Sequence, residues 1–136
     1  MKRFVLAALF VLSLVSAAFA EQPVISSSSG IVANATAAAS VAASVQNYTY
    51  LTGIEVTASG ATAAACVPLT ITGILGGTAT YVFCTPAGVS VMAQSLAFQF
   101  YPRLRSLNPN TAITVSLQAL GAGNANASVN VHGYAE

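Results

Sequence analysis

From Tyr48 to Val56 the larger apolar side chains fall on alternate positions, Tyr48, Tyr50, Ile54 and Val56, with Thr49 and Glu55 between them. The same alternation recurs at Val67, Leu69 and Ile71, at Tyr81 and Phe83, at Leu96, Phe98 and Phe100, at Ile113, Val115 and Leu117, and at Val129 and Val131. A period of two, with Thr, Ser and Gln on the alternate face, describes strands that bury one side. Phe98 sits at the middle of the longest aromatic face and is the expected core residue, with Gln99 facing out. Turn residues punctuate the gaps: Ser59-Gly60, Gly76-Gly77, Pro86-Ala87-Gly88, Asn108-Pro109-Asn110 and Gly121-Ala122-Gly123-Asn124. Six short strands at this spacing predict an all-β fold, a single antiparallel β-sandwich or barrel over 47–136.

The first 46 residues have a different texture. Lys2 and Arg3 precede an almost wholly apolar run from Phe4 to Val15, and Ala18-Phe19-Ala20 puts small residues where a signal peptidase requires them. Residues 1–20 therefore read as a cleaved signal peptide. The apolar run is shorter than the roughly 20 residues a bilayer demands, so a membrane enters only through this segment if it stays uncleaved. Residues 21–46 are mostly Ser, Ala, Val and Asn and read as a linker or docking arm. Within them, Ala37 to Ala43 suits either a short helix or an early edge strand.

Charge narrows the function classes. Only 5% of residues are charged, and a mature chain from Glu21 keeps Arg103 and Arg105 against Glu21, Glu55 and Glu136, a net charge of about minus one. No basic stripe is available for phosphates, which argues against nucleic acid as a partner. A surface so poor in charge favours life in an assembly, and a closed homo-oligomer satisfies such faces best.

The two cysteines, Cys66 and Cys84, can be a staple, a metal grip or a nucleophile. Export favours the disulfide; a structural zinc site needs about four ligands and this chain offers two Cys and one His. A five-residue loop from Gly73 to Gly77 pairs residues whose numbers sum to 150, setting Cys66 opposite Cys84, Val67 opposite Phe83 and Leu69 opposite Tyr81. A two-residue turn at Gly76-Gly77 would instead set Cys66 against Ala87. Disulfide and apolar face select the first register, with the bridge on the face away from Tyr81 and Phe83.

Candidate chemistry is sparse. General acid-base work needs titratable groups held together, and Glu55 and His132 are the one internal pair the mature chain offers; both read as solvated or interface residues. No catalytic residue, cofactor or metal site is expected. Three glycosylation sequons occur, at Asn34, Asn47 and Asn126. In YPRLR the two mature bases follow a proline after the most hydrophobic strand, so Tyr101, Arg103 and Arg105 form a candidate binding loop for carbohydrate or a protein partner.

The order of segments adds a further expectation. NYTYLTGIEVTASGATA, then FQFYPRLR, then NTAITVSLQALGAGNANASVNVHGY together resemble a group of small phage-associated jelly-roll virion proteins over about residues 47–134. The resemblance implies a jelly-roll sandwich acting without catalytic residues as a head decoration or fibre-tip component, often trimeric, with a virion or cell surface as partner. The alternative is an exported bacterial surface or periplasmic sandwich that binds a glycan or a protein partner. Either is exported: periplasmic, secreted or on a particle surface.

Overall fold

A computed structural model describes residues 24–88, 95–123 and 126–136. The signal peptide expected at 1–20 lies outside the described residues. Eight strands follow in chain order: β1 (Ile25–Ser28), β2 (Ala37–Val41), β3 (Thr49–Thr57), β4 (Ala65–Ile74), β5 (Gly77–Thr85), β6 (Leu96–Arg105), β7 (Ile113–Leu117) and β8 (Ser128–Ala135). They form two antiparallel four-stranded sheets, β1-β8-β3-β6 and β2-β7-β4-β5. The last six strands are those the alternation predicts.

Between the sheets lies one core. Leu51, Ile54, Leu69, Ile71, Ile113, Leu117 and the valines 41, 56, 115, 129 and 131 are fully buried. Aliphatic residues of this size suit the space between two packed sheets, which lie about 10 Å apart in such sandwiches.

The stretch read as linker or arm is, from Ile25 onward, part of the sandwich. β1 pairs with β8, Ile25 opposite Gly133 and Ser28 opposite Asn130; β2 pairs with β7, Ala37 opposite Leu117 and Val41 opposite Ile113. Of the two readings open for Ala37 to Ala43, the edge strand is the one that forms. Side chains this small suffice because β2 lies over β8, where Val41 fills the space above Gly133: a Cβ on that glycine would stand 2.2 Å from the Tyr50 carbonyl oxygen and 2.8 Å from Val41 Cγ2.

Two registers differ from a plain reading of the alternation. In β3 the pairing with β8 shifts between Leu51 and Gly53, so Thr52 is an extra residue. A bulge exchanges the faces of the residues on either side of it. Tyr48 and Tyr50 therefore belong to the outer surface, while Thr49 and Leu51 are buried together with Ile54 and Val56. At the β4–β5 hairpin, Cys66 pairs with Cys84, Val67 with Phe83 and Leu69 with Tyr81, as expected. The loop is tighter than predicted. Ile74 pairs with Gly77 across a two-residue turn, and Thr72 with Gly73 bulges against Thr78. Gly73 adopts φ of +82° and passes so close to Ala112 that a Cβ would meet its carbonyl oxygen at 2.2 Å. This bulge turns Ile74 inward, where it bridges to Ser106 and ties the hairpin to the end of β6.

Phe98 is also less central than the pattern implies. It packs on the core from β6, which ends its sheet, and it remains half-buried against Tyr81, with ring centroids 5.1 Å apart. An edge strand has neighbours on one side only.

Candidate functional site

YPRLR is not a loop. Tyr101 to Arg105 continue β6, and the irregularity lies within the strand: Gln99 pairs with Gly53, whereas Leu104 pairs with Leu51. On the β6 side four residues, Phe100 to Arg103, stand against the single Thr52. Proline has no N–H to give a ladder, so an edge strand that bulges away is where it fits. The Tyr101-Pro102 peptide is cis, and the Tyr101 side chain is fully exposed.

The same register lays the arginines back over the sheet. Tyr50 faces Arg105 on one side and Tyr134 on the other, so their side chains share the outer surface. Tyr50 and Tyr134 stack with ring centroids 5.0 Å apart and planes inclined by 13°. The Arg103 guanidinium lies 5.0 Å from the Tyr134 ring centroid, and its Nη1 donates a hydrogen bond to the Tyr134 hydroxyl. Arg105 lies 4.4 Å from the centroid of Tyr48. Tyr48 is held there by two backbone hydrogen bonds with Glu136, 2.8 and 2.9 Å long.

Both arginines are thus seated on aromatic faces, each contact contributing about 0.5–1 kcal/mol at a partly exposed site. The buried Nε of Arg105 has no hydrogen-bond partner, a cost that its place over Tyr48 offsets in part. The result is a Tyr-Arg surface made by Tyr48, Tyr50, Arg103 and Arg105 over the buried ring of Tyr134, with Tyr101 standing clear of it. Stacked rings and planar guanidinium groups suit sugars and peptide backbones, which offer flat apolar faces with hydrogen-bonding edges. Of the three residues of the expected binding loop, Arg103 and Arg105 lie over neighbouring tyrosines on this surface, and Tyr101 does not join them.

Further along the same outer surface, β1, β3 and β8 bring Ser26, Glu55, Asn130 and His132 around a shallow groove of about 230 Å³. Ser26 and His132 are directly opposed across the β1–β8 ladder, and Ser26 Oγ is 2.9 Å from His132 Nδ1. Glu55 is set opposite Asn130, one step along. The sequence pairs Glu55 with His132, and the fold does place them in one groove. Ser26 is the member that sequence reasoning missed, because β1 was not visible as a strand. What the groove offers chemically is hydrogen bonding to a polar group at its rim. Among the described residues no three His, Cys, Asp or Glu side chains gather where a metal ion would need them.

The disulfide occupies the opposite sheet. Cys66 and Cys84 are bonded, their Cα atoms 4.1 Å apart, on the solvent side of the β4–β5 pair. All three sequon asparagines, Asn34, Asn47 and Asn126, are exposed. Comparisons with protein families, curated proteins and solved structures give no match to this chain.

Proposed function

We propose that the chain is an exported, non-enzymatic structural or attachment module of jelly-roll type, resembling a phage virion decoration or fibre protein, and that it works as a closed homo-oligomer, most simply a trimer. The observation that carries this reading is the strand order. β1, β3, β6 and β8 interleave in sequence with β2, β4, β5 and β7, and the orders β1-β8-β3-β6 and β2-β7-β4-β5 support a reading as two intertwined Greek keys, the jelly-roll arrangement. That arrangement supports the resemblance drawn from the segment order. A disulfide on the solvent side of a domain this small supports export.

The reading is tested by fractionating a culture of the organism that encodes the chain into particles, cell envelopes and medium, with detection by an antibody. Co-sedimentation with particles through a density gradient is the expected result. Recovery in the envelope fraction would favour the second reading, a bacterial surface or periplasmic sandwich. The Tyr-Arg surface favours that alternative, since it would take a glycan or a protein partner, with Tyr101 beside it.

A further inference from the structure

Charge is divided unequally between the two sheets. Within the described strands, every acidic, basic or imidazole side chain (Glu55, Arg103, Arg105 and His132) lies on β3, β6 or β8. The sheet β2-β7-β4-β5 carries none. Its outer face has an apolar centre near β5: Pro68 is opposite Val82, Val82 is 70% exposed, and the disulfide of Cys66 and Cys84 lies next to them on the same face. Thr70 and Thr80 flank this centre as the next opposed pair. Thr70 Oγ1 and Ser116 Oγ are 2.8 Å apart and satisfy one another, so covering them strips little hydration. An apolar centre within a hydroxyl rim is the anatomy of a protein interface.

The edges point to the same sheet. β1 and β2 are short, at four and five residues, and β6 is guarded by Pro102, two arginines and its bulge. β5 ends its sheet with nine residues, no proline and no charge. Long edges without such protection pair with other chains unless something covers them.

We infer that the outer face of β2-β7-β4-β5, with the β5 edge, is the surface through which copies of this chain meet. The inference rests on the homo-oligomer reading above and adds where the subunits touch. A second copy is the occupant that fits. Contact between copies through this face buries no charge from it, whereas contact through the other sheet would have to desolvate Arg103, Arg105, Glu55 and His132. Strands of five, five, ten and nine residues, about 4.8 Å apart, span roughly 470 Å² in projection, more than half of the ~800 Å² per partner of a standard stable interface before the β5 edge is added.

The test is light scattering at micromolar concentration on the disulfide-intact protein from an exporting host. It compares the wild type with Val82→Lys, Thr80→Lys and, on the outer face of the opposite sheet, Ala97→Lys. Melting curves accompany each variant, so that if Val82→Lys fails to fold, Thr80→Lys carries the comparison. The expected result is an assembled wild type and Ala97→Lys, with the charged β5 variants falling to the mass of one chain while still melting cooperatively. An assembled wild type whose β5 variants stay assembled overturns the assignment of this face and leaves the oligomer reading standing. A wild type with the mass of one chain overturns both.

Discussion

At the scale of single residues, the core is aliphatic and central, and the large aromatic side chains sit towards its margin. Ile71 is fully buried between β5 and β7, so Ile71→Ala removes buried methylene groups and leaves a cavity, at a cost of about 2–5 kcal/mol. Phe98 is half-buried on an edge strand, and Phe98→Ala should cost less than the ~3–5 kcal/mol of a fully buried phenylalanine. Gln99→Ala, on the exposed face, should change stability by under about 0.5 kcal/mol. Denaturant unfolding of the three variants checks this order, and a larger loss at Phe98 than at Ile71 would contradict it. Gly133 is a second sensitive position. Its bare Cα lets the Tyr50 carbonyl and Val41 approach, and the carbonyl is backbone that cannot rotate aside. Gly133→Ala should therefore destabilise by about 1–3 kcal/mol, read as a lower denaturation midpoint.

At the scale of elements, the β4–β5 hairpin is where sequence and structure agree most closely. Two constraints, the cysteine pair and the alternating apolar face, both fix one pairing, and the strands take it. The chain-entropy model assigns a bridge across a separation of 18 residues roughly 3 kcal/mol. Joint replacement of Cys66 and Cys84 by alanine should leave a cooperative fold with a lower melting temperature. The intact mass of the native protein should be two hydrogens below the reduced value, and two free thiols in unfolded, unreduced protein would contradict the staple.

The six strands with alternating large residues were legible because side-chain size marks the buried face. β1 was not, and β2 was legible only as one of two readings, since Ser26, Ser27, Ala37 and Ala39 leave no such mark, and their place in the sheets comes from long-range pairing with β8 and β7. The bulges at Thr52 and Gly73 were equally hidden, because one inserted residue changes which face a side chain takes without changing the local composition. That is why Tyr48 and Tyr50 read as core and prove to be part of the outer Tyr-Arg surface. The arginines of that surface could be picked out from their rarity, but their partners could not, because Tyr134 and Tyr48 reach them only through the β3–β6 and β3–β8 registers. Arg103→Lys keeps the charge and loses the planar guanidinium that lies over Tyr134, so if this surface binds a glycan or peptide, affinity should fall several-fold while the melting temperature changes little. Equal binding by the two proteins in calorimetry would remove Arg103 from the site.

At the scale of the whole molecule, low charge and an interleaved strand order bear on one another. A sandwich with so few ionisable side chains has outer faces of Thr, Ser, Asn and Ala, and little electrostatic repulsion opposes contact between copies. A closed ring of subunits covers such faces and leaves no edge for indefinite pairing. The most direct measurement of this account is the mass of the purified, disulfide-intact protein by light scattering across a hundredfold dilution series in the micromolar range. A closed assembly, three chains on the reading given above, should persist at its full mass over most of that range; the mass of one chain at every concentration would contradict it.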